Sequence, residues 1–400
     1  MAAGAIGERH IELRSPLCVH LLPSTEDAGA EKQALYLLEA LRDAGVVQVE
    51  LAYFAEGRAH REFEALGISM RRIGRDRRLA FDLRRRVRAL RGLYGADPPA
   101  ILHAWLTEAM LVGLAAARSW RDARVVVAHQ TIRIEEELPG AAALVLRRLI
   151  KRADHAIANS RAGLASLRGL LPATKVSLID NGVPPARVRP ARSPAEVRRA
   201  LGVAPSTPLA VAVGRPDATK DFPTLVAAME RVRATLKEAT LVLVGVAPSD
   251  FDRLGICISE ATLPVGWQSN PVDFMQAADV VVISSLIEGH SNVADEALLL
   301  GRPVASTDVG AHPAIVAETG GAVVPVSRPD LLADSILSLL GNPPDPARVR
   351  AVAATRLAMA PVVSDVVAVY ERLLQTKLTG KPPAVSDPKL QECPATEPTA

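Results

Sequence analysis

Hydrophobic positions along the chain gather in short uninterrupted runs, separated by longer stretches of helical period. In the first half the runs PLCVHLL (16–22), VQVELAYF (47–54), AILHAW (100–105), RVVVAHQ (124–130), HAIANS (155–160) and KVSLID (175–180) read as strands. Between the first two, EKQALYLLEALRDAG sets Ala34, Leu37, Leu38 and Leu41 on one helix face, and Gly45 closes the helix. The alternation restarts with LAVAVG (209–214), TLVLVG (240–245), LPVGW (263–267), DVVVISS (279–285) and PVASTD (303–308). Runs apolar at every position are buried on both faces, which predicts parallel sheets covered by helices. The fold class is therefore α/β: two doubly wound, Rossmann-like domains facing a cleft.

Between the halves, PPARVRPARSPAEVRR (184–199) has four prolines and no apolar period, and reads as a linker. The expected organisation is a first domain over 1–183, the linker 184–199, a second domain over 200–360, and a last amphipathic helix over 361–376. Residues 377–400, with five prolines and no aromatics, read as a disordered tail. A hydrophobic content of 49% fits a globular protein whose core needs no disulfide or metal staple. Cys18, Cys257 and Cys393 show no zinc or redox spacing, so reduced thiols in a cytoplasm are expected. Glu8, Arg9, Glu12 and Arg14 break any signal-peptide core, and no run reaches the length of a membrane span.

Charge changes this picture in one place. The run RRIGRDRRLAFDLRRRVRALR (71–91) carries ten arginines against two aspartates, enough to attract an anionic membrane surface. A solvated helix face is the plainer alternative. Nucleic acid is not an expected partner, because the run lacks interleaved aromatics for base stacking.

In open parallel sheets ligands bind beyond the carboxyl ends of the strands. After LAVAVG comes RPDATKDFP, with Arg215 leaving the strand and Lys220 at the mouth of the next helix. Two cations beside a positive helix N-terminus suit a diphosphate. After DVVVISS and the connecting LI comes EGHSNVADE (288–296). Gly289 permits a tight turn, Ser291 or Asn292 can cap the next helix, and free backbone N–H groups near Asn292 and Val293 would face a ligand. Glu288 then lies in the loop and Glu296 one helical turn inside. They contact different parts of one ligand and are not a close acid/base pair. The alternative is that Glu296 is a helix-face charge and Glu288 a first-turn cap, at a spacing met by chance in many proteins. There is no P-loop and no G-x-G-x-x-G, so neither an NTPase nor a nicotinamide enzyme is suggested. DFD at 250–252 is too short a motif to predict a metal site.

The series GRxxxxK, GWQxxP, AADVVVISSxxEGxxNVxxEA and GRPVxSTDVGA resembles the retaining GT-B glycosyltransferases of family 4, in particular those of bacterial exopolysaccharide, capsule or lipopolysaccharide assembly. HLLPSTEDAGAEKQALYLLEAL and ADHAIANSRAGLASL…KVSLIDNGVP resemble the first half of the same family. The resemblance covers residues 16–376. It implies an enzyme taking a nucleotide-sugar donor and a glycan or lipid-linked acceptor, with no metal or other cofactor expected; a cytoplasmic place is expected from the cysteines and the missing signal peptide, and a peripheral-membrane one from residues 71–91. It also implies a last helix that crosses back onto the first domain. By the same resemblance, Arg215 and Lys220 hold the diphosphate and Glu288 the transferred sugar. The amides around Asn292 and Val293 hold sugar or phosphate, Glu296 the ribose, and Gly29 approaches the phosphates. His129 matches a histidine near the donor sugar. The sequence departs from the pattern at Ala28, Pro184 and His290. A nucleotide-sugar 2-epimerase and a catalytically silent scaffold of the same fold are the competing functions.

Overall fold

The computed structural model describes residues 15–74, 79–130, 140–254, 256 and 261–380. Cys257, Cys393, residues 75–78 of the arginine run and residues 381–400 of the expected tail lie outside the described residues. The first sheet has seven parallel strands: β1 (Leu17–Ser24), β2 (Gln48–Ala55), β3 (Ser69–Arg72), β4 (Ile101–Trp105), β5 (Arg124–His129), β6 (His155–Ala158) and β7 (Val176–Leu178). Their order is β3-β2-β1-β4-β5-β6-β7. The second has six: β8 (Leu209–Val213), β9 (Thr240–Val244), β10 (Thr262–Gly266), β11 (Val280–Ile283), β12 (Val304–Thr307) and β13 (Ala322–Val324), in the order β10-β9-β8-β11-β12-β13.

Both strand orders reverse once, between β1 and β4 and between β8 and β11. At such a switch point the loops leave on opposite faces and open a crevice at the carboxyl edge. This placement decides the site. Gly29 follows β1, Lys220 follows β8 and Glu288 follows β11, so each stands at a switch point.

The hydrophobic runs locate eleven of the strands. They miss β3 and β13, two edge strands of four and three residues that carry little buried surface. The stretch 184–199 is not structureless. Pro185–Arg187 forms a 3-10 turn, and Pro194–Ala200 is a helix. The Ser193 hydroxyl accepts from Glu196 N–H at 3.3 Å while Ser193 N–H donates to the Glu196 carboxylate at 2.7 Å, a complete capping box. Pro194 therefore starts a helix, because a proline at the first helical position has no hydrogen bond to lose.

The last helix, Met359–Leu374, packs against the first helix, Gly29–Ala44. Its Tyr370 is fully buried, with its hydroxyl 2.7 Å from His103 Nδ1. Just before it, Val183 N–H donates to Leu357 C=O at 2.9 Å, so the two chain crossings between the domains are bonded to each other. By length and composition Pro346–Leu374 could also cross a membrane, which the sequence reading did not find. It is two helices, Pro346–Arg356 and Met359–Leu374, packed on different elements.

The arginine run divides in the structure. Arg71 and Arg72 reach Glu50 and Glu56. Arg86 is buried over the Phe54 ring and paired with Glu108. Arg91 donates to the carbonyls of Ala115 and Ala116. Arg84, Arg85 and Arg88 are exposed. Arg86 and Arg91 therefore serve the fold, the exposed Arg71 and Arg72 are paired with acids, and the described part of the run is not a uniform basic face.

Candidate functional site

The loop after β8 is a built turn. Asp217 accepts from Thr219 N–H at 2.9 Å, and Ala218–Lys220 forms a 3-10 turn. Asp221 follows at φ 46°, a region that costs a non-glycine residue some strain. Its carboxylate offsets this by capping the helix Phe222–Thr235 through Thr224 N–H at 3.3 Å. Two bonds join this turn to the exit of β11: Ser284 Oγ donates to Lys220 C=O and Leu286 N–H to Thr219 C=O, each at 2.7 Å. The turn and the Glu288 loop are thus one unit, and Lys220 Nζ donates to Glu288 Oε1 within it. Ser285 Oγ donates to the same oxygen at 2.8 Å. Glu288 is a carboxylate held by a cation and a hydroxyl, not a helix cap.

The rest of the loop is set by close approaches. A Cβ on Gly289 would lie 2.6 Å from the carbonyl oxygen of Gln130 in the other domain. Gly310, at φ +74°, passes so close that its Cβ would lie 2.8 Å from the carbonyls of Glu288 and Gly289. Ala311 N–H donates to Gly289 C=O at 3.0 Å. Ser291, rather than Asn292, caps the helix Asn292–Leu299, accepting from Ala294 N–H at 3.4 Å. The amides of Asn292 and Val293 lie in the first turn and have no acceptor within the helix.

Asn292 is the bridge between domains. Its Nδ2 donates to Gly29 C=O at 3.0 Å. Its Oδ1 accepts from Gln33 Nε2 at 3.1 Å and Asn181 Nδ2 at 3.4 Å. Gln33 in turn accepts from Gly182 N–H at 3.3 Å. Glu296 sits one turn into the helix, 5% exposed, with Lys32 Nζ 3.7 Å away and Lys32 also 3.2 Å from Asp27. Burial works against the Lys32 charge, but the carboxylates of Glu296 and Asp27 outweigh it and hold the ammonium protonated. Burial raises the Glu296 pKa, opposed chiefly by Lys32.

Arg215 is exposed beyond β8, and its charge reaches Glu31 across the cleft, opposing the rise that burial gives that carboxyl. Ala28 precedes the first helix at φ −125°, an extended conformation open to any residue, so the missing second glycine strains nothing. His129 is buried at the end of β5, one residue before Gln130. Asp250 of the DFD stretch is 3.0 Å from both Ala247 N–H and Arg253. The structure thus gathers Gly29, Lys220, Glu288, Gly289, Asn292 and Glu296 along one cleft. It adds Lys32, Gln33, Gln130, Asn181 and Gly182, which no motif singled out. Lys32 and Asn181 lie inside the segments AGAEKQ and DNGVP, already matched to the family, and nothing there marked them as site residues.

The family model "Glycosyltransferase Family 4" matches residues 28–187, and "Glycosyl transferases group 1" matches 207–342. A D-inositol 3-phosphate glycosyltransferase of Segniliparus rotundus is 29% identical over 49% of this chain and 46% of its own length. The chain thus spans about half the length of that curated relative. Among solved structures, Anabaena Alr3699/HepE in complex with UDP-glucose superposes with a TM-score of 0.76 at 20% identity, covering 89% of this chain and 100% of that one. The sucrose-phosphate synthase of Thermosynechococcus elongatus gives 0.73 at 21% identity, covering 90% and 99%. At these identities the likeness is one of fold.

Proposed function

The chain belongs to the group 1, family 4 glycosyltransferases of GT-B fold, and on that premise we propose that it moves a sugar from a nucleotide-sugar donor to an acceptor hydroxyl with retention of configuration. The observation that carries this reading is the Lys220–Glu288 pair at the switch point of the second domain, facing the Gly29 loop of the first.

In this reading the donor lies along the second sheet's edge. Its diphosphate draws Lys220 away from Glu288 and meets Arg215 and the first-turn amides of Asn292 and Val293. The Glu288 carboxylate, freed of its cation, accepts from hydroxyls of the transferred sugar. Glu296, one turn further along the helix, accepts from the ribose hydroxyls. As the glycosidic bond breaks, charge builds on the leaving diphosphate, and fixed donors aimed at it lower the barrier. The acceptor hydroxyl attacks from the same face, its proton passing to the departing phosphate oxygen. No step is assigned to a metal. The acceptor, a glycan or lipid-linked hydroxyl, enters from the first domain beside Gln130.

A panel of UDP-, GDP- and ADP-sugars, assayed for binding, hydrolysis and transfer, tests the assignment. UDP-glucose is the first donor to try, because the similar Anabaena protein binds it, and D-inositol 3-phosphate the first acceptor, because the similar Segniliparus rotundus enzyme is named for it. Donor-dependent transfer is expected. Free epimerised sugar nucleotide would point instead to a 2-epimerase, and no nucleotide binding at all to a scaffold. Attachment to the inner face of a membrane would use the exposed Arg84, Arg85 and Arg88. Vesicle sedimentation with equal binding to neutral and anionic lipid would reject it.

A further inference from the structure

Directly beneath the Glu288 loop lies a buried pair that the donor reading does not use. His290 Nε2 is 2.6 Å from Asp295 Oδ2, with side chains 5% and 0% exposed. His290 belongs to the loop and Asp295 to the helix Asn292–Leu299, so the contact ties the loop to the helix that it feeds. Among the described residues the other two polar atoms, His290 Nδ1 and Asp295 Oδ1, are buried without a hydrogen-bond partner. A pair this short and this poorly supported by other polar groups is expensive to bury. Packing alone would be served as well by two apolar side chains.

Resting on the donor reading above, we propose that His290 and Asp295 are positioning residues, a one-proton latch that holds Glu288 and the Asn292 amide in their donor-binding places. The loop is fixed from outside by Gly310 and Ala311 against the carbonyls of Glu288 and Gly289. On the inside, the described contact tying loop to helix is His290 on Asp295.

The charged groups around the pair define its pH behaviour. Asp180 approaches from the segment after β7, Glu288 from the loop itself, and His312 from the segment after β12. Burial lowers the His290 pKa, but Asp295, Asp180 and Glu288 outweigh it, and the net direction is upward from 6.5. Burial also favours a protonated Asp295. The pair therefore keeps its shared proton to a higher pH than a free imidazole would. Above the raised His290 pKa the proton leaves, and a net negative charge remains under the loop that must receive a diphosphate.

Donor affinity of the wild-type protein is therefore expected to weaken on the order of tenfold as pH rises through the raised His290 pKa, if the bound donor raises that pKa by about one unit. Asp295→Ala and His290→Ala are expected to lower kcat roughly thirtyfold. In the double variant His290→Gln/Asp295→Asn, a neutral amide donates to a neutral amide across the same gap. It is expected to recover most of kcat while the alkaline loss of affinity disappears. Should the single variants fail to fold, the double variant alone carries the test through its pH profile. A wild-type pH profile in the folded double variant overturns the inference while leaving the glycosyltransferase reading intact. Absence of any donor binding by the wild-type protein overturns both.

Discussion

Lys220→Ala and Glu288→Ala each reduce sugar transfer by about several hundredfold, while the melting temperature stays near that of the wild-type protein. A fixed donor aimed at a developing negative charge is worth about 3–4 kcal/mol in a site that excludes water, which gives a loss of this size. Lys220 sits in a turn held by its neighbours' backbone, through Ser284 and Leu286, so its side chain is not needed to shape it. Both partners are partly exposed, at 24% and 13%, and an ion pair of that kind contributes at most about 1 kcal/mol to stability. Lys220→Arg should not restore the rate, because the side-chain stem passes beside Gly214 and a forked guanidinium on it cannot take the place of the compact ammonium at Glu288. Steady-state transfer with the donor found in the panel, together with thermal melting, measures both halves. Transfer within tenfold of wild type by folded Lys220→Ala would remove this cation from the mechanism.

Acidification has the second large effect, and it acts on the fold. Burial lowers His20 and His312 from 6.5 to about 3, and holds His103 well below its usual value. His155 falls to about 4, with Arg372 adding to the effect of burial. The unfolded chain takes up protons at these positions near pH 6.5, and the folded protein does not. Their contribution to stability is fully present above pH 6.5 and is lost as pH falls towards 4 to 3. Each fully buried histidine costs about 1.4 kcal/mol per unit below 6.5. At pH 5 the three most buried together remove about 6 kcal/mol, comparable to the whole stability of many domains. Three of the four histidines lie in the first domain, so urea unfolding at pH 5.0 should show that domain melting ahead of the second. Because Tyr370 bonds to His103, release of the last helix should accompany it. Urea midpoints equal at pH 7.5 and pH 5.0 would contradict this.

How much of this was legible beforehand depended on sequence distance. Runs such as LAVAVG and DVVVISS announce central strands because their middle positions, Leu209–Val213 and Val280–Ile283, are apolar without a break. Lys220 and Glu288 could be placed because each stands directly after such a run. Ser69–Arg72 could not, since two arginines in four residues carry no strand pattern. Asn292 was visible as a residue near a helix start. Its partners Gln33 and Asn181 lie 259 and 111 positions away, and no periodicity connects them. Arg86 shows the converse. In sequence it is one of ten similar charges, and only packing against Phe54 and Glu108 separates it from its exposed neighbours. His290 and Asp295 share a helix-start motif five residues apart, but that a polar pair fills a buried gap is a fact of the interior.

The chain passes between its domains twice, and both passages run side by side. Val183 is bonded to Leu357, and Gly182 lies so near Met359 that a Cβ there would come within 2.6 Å of the sulfur. Two adjoining straps on one side of a body behave as the pin of a door. Sliding and twisting would have to tear that joint, whereas swinging about it does not. The clearance between Glu288 and whatever the first domain presents is then governed by a single angle. Asn292, reaching across to Gly29 and Gln33, stands where a latch on such a door would be fitted.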